Sequence, residues 1–135
     1  MIAGTVHHID LNVRSLDVSK PFYHTVLGAL GFELAVDRAE IVEFNLPAPV
    51  GHYHCSIGLV PAERHTPHDR YAPGLHHLAF RALSRADVDA FYEHLVRIGA
   101  TILDAPAEYP QYSPGYYAVF FVDPDGLKLE YVHKP

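Results

Sequence analysis

Phe120-Phe121-Val122-Asp123-Pro124-Asp125-Gly126-Leu127-Lys128-Leu129-Glu130 decides how the rest of the chain is read. Pro124-Asp125-Gly126 between two apolar runs is hairpin chemistry. Proline presets φ for a type I turn, and the glycine takes the left-handed position after it, which gives a three-residue loop with a bulge. Asp123 then faces Leu127, and Phe120 falls opposite Glu130. Glu130 shares a face with Lys128, Val132, Ala118 and Tyr116, while Leu127, Leu129, Tyr131, Phe121 and Val119 form the apolar face that a sheet buries against a helix. A carboxylate in the middle of a strand is either solvated or partnered, and its partner is to be sought among the histidines.

Outward from the hairpin, 101–103, 116–122 and 127–132 read as the last three strands. Before them, Val88, Phe91, Tyr92, Leu95 and Ile98 form a helical stripe that opens on a capping box at Ser84 to Asp87 and closes at Gly99. Leu75-His76-His77-Leu78-Ala79-Phe80-Arg81 reads as a strand ahead of that helix. The same order stands in the first half. Val6 to Val13 alternates, with His7, Ile9, Leu11 and Val13 on one face and His8, Asp10 and Asn12 on the other. Leu16, Phe22, Tyr23, Val26, Leu27 and Leu30 suit a helix capped by Ser15 or Asp17, with Pro21 in its first turn and Gly28 or Gly31 at its end. Strands are expected at 32–36, 41–46 and 54–60.

The order βαβββ therefore occurs twice, and His7-His8-Ile9 is echoed by His76-His77-Leu78. This predicts an α+β fold: one domain over 1–135, made of modules 1–60 and 74–135 joined by a Pro-, His- and Arg-rich linker at 61–73. The two modules are expected to curl into a mixed sheet that encloses a cleft, with the helices outside.

Composition narrows the function. The chain has 135 residues, 49% of them apolar and 19% charged, a net charge of −6 and no basic cluster, which argues against nucleic acid and anionic membrane as partners. Cys55 is the one cysteine, no leader is evident and no apolar run nears membrane-spanning length, so a cytoplasmic protein is expected. The unusual count is 11 histidines.

His8, His77 and Glu130 combine polar-face parity with equivalent placement in the duplicated halves. Two imidazoles and a carboxylate on strands leave open positions on a divalent ion, which suits a bidentate oxygen substrate. Fe, Mn, Ni, Co and Zn all accept this set. By parity His7 and His76 point toward the helix side. The pairs His52/His54 and His65/His68 have metal-compatible spacing but no third partner, and Asp10 stands where it can orient His8 or an inner water.

These residues, with Phe22-Tyr23, Leu27-Gly28, Gly31-Phe32 and Asp123-Pro124-Asp125-Gly126, resemble the vicinal oxygen chelate superfamily over essentially the whole chain. That family holds glyoxalase I, extradiol dioxygenases, fosfomycin-inactivating thiol transferases, epimerases and metal-free drug-binding proteins. The resemblance implies a metal-dependent lyase, isomerase or dioxygenase acting on a small oxygen-chelating molecule. The alternative it implies is a non-catalytic binder of the bleomycin-resistance type. It also implies a homodimer whose modules pair within or between chains.

Two departures stand out. Glyoxalase I carries a fourth ligand, a glutamate, where this chain has Gly58, and the dioxygenases and thiol transferases carry a tyrosine where it has Phe120. Weak or no turnover of methylglyoxal-glutathione hemithioacetal is therefore expected. Tyr116 is the candidate catalytic acid/base, its phenol activated if a cation lowers its pKa, and Asp10, Phe120, Tyr109 and Tyr112 are candidate pocket residues.

Overall fold

The computed structural model describes residues 2–135. The elements run β1 (His8–Val13), α1 (Leu16–Ala29), β2 (Glu33–Asp37), β3 (Val42–Pro47), β4 (Tyr53–Pro61), β5 (Leu78–Arg81), α2 (Arg85–Arg97), β6 (Thr101–Glu108), β7 (Tyr117–Val122) and β8 (Lys128–His133). They form two compact units, one ending at Thr66 and the other spanning Pro67–Pro135. Each carries one helix and one four-stranded mixed sheet, ordered β1-β4-β3-β2 in the first unit and β5-β8-β7-β6 in the second. The expected α+β class and the doubled βαβββ order are therefore present, and neither sheet closes on itself.

In the first unit β1 pairs parallel to β4, and β3 pairs antiparallel to both β4 and β2. Leu11, Val13, Val42, Phe44, Ile57 and Leu59 are buried on the helix-facing side with Tyr23, Val26 and Leu27 of α1. The opposite face carries the polar alternates in rows set by the register: His8, Ser56 and Asn45 in one, Asp10, Gly58 and Glu43 in the next. Helix α1 ends in a Schellman turn. Gly31 sits at φ 94° while the Phe32 N–H donates to the Leu27 carbonyl at 3.0 Å, so Gly31 and not Gly28 is the stop. Pro21 lies in the second turn, beyond the first turn expected for it, because the helix begins at Leu16.

The second unit repeats the plan. Ser84 caps α2, its hydroxyl accepting from the Asp87 N–H at 3.1 Å. Val88, Phe91 and Leu95 are buried on the sheet, Phe91 meeting Phe121 and Tyr131 edge-on. The β7–β8 hairpin has the expected register, with Phe120 opposite Glu130. Gly126, at φ 84°, closes the turn and donates its N–H to the Asp123 carbonyl at 3.0 Å. The buried Asp123 carboxylate accepts from the Asp125 and Leu127 N–H groups, both at 2.8 Å, so it braces the loop.

Two elements differ from expectation. Strand β6 runs to Glu108, well past the predicted 101–103. It is an edge strand with register shifts between Ile102 and Asp104 and between Asp104 and Ala107, which is how it tolerates Pro106. Strand β5 starts only at Leu78, so His76 and His77 lie just ahead of it in irregular chain. Among the described residues no helix is long and apolar enough to cross a membrane.

Candidate metal centre

In the second unit the candidate residues converge on Glu130. Its place in β8 lies between Ala79 of β5 and Phe120 of β7, and the side chain is 1% exposed. A desolvated carboxylate requires partners, and it has two. The Tyr116 hydroxyl donates to Oε1, and His77 Nε2 stands 3.1 Å from Oε2. Tyr116 stands just ahead of β7, one residue before the paired register begins, and its hydroxyl reaches across to Glu130 on β8.

The Tyr116 phenol is pushed above its ordinary value, first by burial, then by its hydrogen bond to Glu130 and the charge on that carboxylate, with smaller contributions from Tyr112 and Tyr109. Burial and the Glu130 carboxylate thus keep the proton on the phenol, which donates it to Oε1. Tyr109 is also raised, by burial and then by Asp104, Tyr112 and Glu130.

Around that carboxylate stands an aromatic wall. Tyr109 and Tyr112 stack with ring centroids 5.4 Å apart and 9° between planes, Tyr112 meets Tyr116 edge-on at 5.3 Å, and Tyr109 meets Phe120 edge-on at 5.4 Å. The Tyr109 N–H donates to the Tyr116 carbonyl at 2.8 Å, closing the 109–116 loop on itself. Tyr112 remains 61% exposed at the rim. Phe120 is buried and meets His77 edge-on, centroids 6.3 Å apart.

Each unit also contains a histidine doublet. His7 Nδ1 lies 2.9 Å from His8 Nδ1, and His76 Nδ1 lies 2.7 Å from His77 Nδ1. One ring of each pair must donate and the other accept. With His8 and His77 as donors through Nδ1, each Nε2 keeps a lone pair that could take a cation; with the roles in the second doublet reversed, His77 Nε2–H instead donates to Glu130 Oε2. His76 is held below its ordinary value by slight desolvation and by the nearby positive groups of His77, Lys128 and Arg70, which favours its neutral form. His7 also meets Tyr53 edge-on, centroids 5.4 Å apart.

His7 and His76 are both exposed, contrary to the helix-side placement that parity suggested. Both precede the paired strand segments, so strand alternation does not govern them. The sequence signal for this role was the repeated His-His doublet itself.

In the first unit His8 is followed one pleat along β1 by Asp10, whose row partner on β4 is Gly58. The Asp10 carboxylate lies directly over the Gly58 Cα. A Cβ at that position would overlap Oδ1 and stand 3.2 Å from Cγ. His65 contributes a backbone carbonyl to Arg14 at 3.0 Å. Among the described residues no group of three or more His, Cys, Asp or Glu side chains is gathered as a ready metal cage, and the His52/His54 and His65/His68 pairs gain no third partner.

Whether the residues present fit a divalent ion can be judged on the His77 and Glu130 pair. Two donors each about 2.1 Å from one ion and at right angles stand about 3.0 Å apart. The 3.1 Å between His77 Nε2 and Glu130 Oε2 matches that spacing. The same distance is that of an ordinary histidine–carboxylate hydrogen bond, and one imidazole with one nearly fully buried carboxylate is a donor set of the kind a divalent ion accepts.

The family model described as Glyoxalase/Bleomycin resistance protein/Dioxygenase superfamily matches residues 5–131. The uncharacterized protein YqjT of Bacillus subtilis (strain 168) is 31% identical, with 94% of this chain and 97% of that protein covered. A solved structure of a glyoxalase candidate from Bacillus halodurans is 32% identical with a TM-score of 0.79, covering 98% of this chain and 97% of that one. The lactoylglutathione lyase structure from Agrobacterium tumefaciens, at 20% identity and a TM-score of 0.71 over 96% of this chain and 93% of that one, shares the fold. By the extent of the family match and the two relatives above 30% identity, the chain belongs to the glyoxalase/bleomycin resistance protein/dioxygenase superfamily.

Proposed function

We propose that this protein is a metal-dependent enzyme of the lyase, isomerase or dioxygenase type, acting on a small molecule that presents two oxygens to one divalent cation held by His8, His77 and Glu130. The observation that carries the reading is the buried Glu130 carboxylate with His77 Nε2 3.1 Å from Oε2, a donor pair spaced for a shared ion. A divalent cation there supplies Lewis acidity, polarising a carbonyl or enediolate oxygen.

The chain's own residues divide the remaining work. Tyr116, with its proton held by burial and by Glu130, orients the carboxylate, and its hydroxyl oxygen is left to accept from a substrate hydroxyl. Tyr109 and Tyr112 would line one side of the substrate's carbon skeleton, with Phe120 packed behind Tyr109 and beneath the Lys128 ammonium. Asp10 completes the proposed pocket from the first module. The functional form is a homodimer, supported by the free edges that each four-stranded sheet retains. A cytoplasmic setting accords with a single cysteine.

A second reading has its own support. The stacked Tyr109 and Tyr112, with Tyr112 exposed, form a surface on which a planar aromatic compound would bind without turnover. One experiment separates the two. Protein loaded with Mn(II) is titrated with acetohydroxamate, a bidentate oxygen probe, while water-proton relaxation is followed. Chelation displaces water from the ion and relaxation slows. Probe binding that is the same with and without metal, together with tight uptake of planar aromatics by metal-free protein, would favour sequestration.

A further inference from the structure

Beside the His77 and Glu130 pair, the second unit holds two cationic side chains that the proposed ligand set does not use. Lys128 stands two residues before Glu130 on β8, on the same sheet face. Its half-buried ammonium forms no ion pair with that carboxylate. It lies instead over the ring of Phe120, the residue paired with Glu130 across the ladder, 4.5 Å from the ring centroid. A ring face attracts the charge but leaves the N–H donors of the ammonium for an oxygen acceptor.

Arg70 lies in the turn ahead of β5, its guanidinium 5.1 Å from the centroid of the Tyr71 ring, and Tyr71 meets His76 edge-on with centroids 5.8 Å apart. Arg70 Nε is buried without an acceptor, the one cationic atom so placed among the described residues. The neighbouring carboxylate does not supply one: Asp69 accepts from the Tyr71 N–H at 2.9 Å, and Arg70 has no ion pair. Buried guanidinium nitrogens are ordinarily satisfied, so this one calls for a partner. The two cations bear on one place. After slight desolvation and the adjacent His77, both Lys128 and Arg70 are close enough to His76 to help hold its imidazole below the ordinary value. In a chain of net charge −6, two cations left without counter-charges beside a chelating pair form a local field that attracts anions.

We infer that the substrate carries, besides its two chelating oxygens, an anionic oxyacid group, carboxylate or phosphoryl, that Lys128 and Arg70 receive. The inference rests on the proposed metal site and narrows its substrate from any chelating molecule to a chelating acid. Two residues of strand separate Lys128 from Glu130, about 7 Å, so the acid group stands only a few bonds from the chelating oxygens. Lys128 presents rotatable donors to one oxygen, and the planar fork of Arg70 suits a pair of them.

The test titrates the Mn(II)-loaded full-length protein with three hydroxamates that share a chelating head and a chain length: butyrohydroxamate, succinic monohydroxamate and 3-phosphonopropionohydroxamate. Water-proton relaxation reads each Kd, and circular dichroism controls for folding. Wild type should bind at least one charged probe about tenfold or more tightly than the neutral one, and the better of the two names the acid. That ratio should fall to near one in Lys128→Met, shrink in Arg70→Met and survive in Lys128→Arg.

A ratio near one in wild type, or one that both Lys128→Met and Arg70→Met leave intact, overturns the inference while sparing the metal site, because butyrohydroxamate still reports chelation. Should Lys128→Met fail to fold, the wild-type ratio and its change in Arg70→Met decide. If no hydroxamate slows relaxation, the metal site falls, and the anion site is decided on metal-free protein titrated with inorganic phosphate and with succinate. Saturable amide shifts at Lys128 and Arg70 that are lost in Arg70→Met keep it, and their absence from wild type removes it.

Discussion

Replacing Tyr116 by phenylalanine removes one hydroxyl and almost no volume, so its effect isolates the hydrogen bond to Glu130. That bond joins a half-buried phenol to a carboxylate that is 1% exposed. A hydrogen bond to a charged group contributes about 1.5–3 kcal/mol, and its loss leaves the desolvated Oε1 without a donor. With about 2.1 cal/mol/K of unfolding entropy per residue, a chain of 135 residues gains about 0.28 kcal/mol/K on melting, so the loss corresponds to a drop of roughly 5–10 °C in Tm for metal-free protein. The same hydroxyl holds Oε1, which leaves Oε2 as the oxygen beside His77. Its removal should therefore weaken metal binding by about 10- to 100-fold, as loss of an outer partner does. Calorimetry in EDTA gives the first quantity and a chelator-competition titration gives the second. A Tyr116→Phe protein with wild-type Tm and wild-type metal affinity would refute the reasoning that Glu130 depends on this donor.

Other outcomes follow from the same structure. Ser84→Ala deletes the cap on α2 and should cost about 1 kcal/mol, read as a lower urea midpoint with an unchanged slope. Alkaline pH should destabilise the fold. Tyr116, Tyr109, Tyr117 and Tyr131 are all raised above 10.0, so the folded chain holds protons that the unfolded chain has released; this stability is complete below pH 10 and is lost as pH rises from there through the folded-state values. Urea midpoints should fall above pH 10, and less steeply in Tyr116→Phe than in wild type. Sedimentation at micromolar concentration should give a species of twice the chain mass, and a purely monomeric boundary would remove the dimer from the proposal.

What could be read from the sequence depended on how local its cause was. The β7–β8 register followed from Pro124-Asp125-Gly126 alone, because a tight turn fixes pairing across a few residues. The helices were legible through their caps, Ser84 at one start and Gly31 and Gly99 at the two ends. Most of β6 was hidden because Asp104, Pro106 and Glu108 look like loop residues, and only an edge position with two register shifts makes them strand. The contact between Tyr116 and Glu130 was half visible: parity put both on one face, but the phenol's raised pKa depends on burial that only the packed unit provides. Asp10 over Gly58 was out of reach, since β1 and β4 pair in parallel across an intervening helix and two strands, and no turn connects them to announce the register. The histidine doublets were plain in the sequence, yet the Nδ1 pairing within each needed coordinates.

The central claim is that His8, His77 and Glu130 together hold one divalent cation. The most direct measurement is elemental analysis of protein purified without added metal and then dialysed against Co(II), for wild type and for each single variant of the three. One ion per chain in wild type, and occupancy near zero in His8→Ala, His77→Ala and Glu130→Gln while each keeps its circular dichroism spectrum, is the result the account predicts. Full occupancy in folded His77→Ala would contradict it.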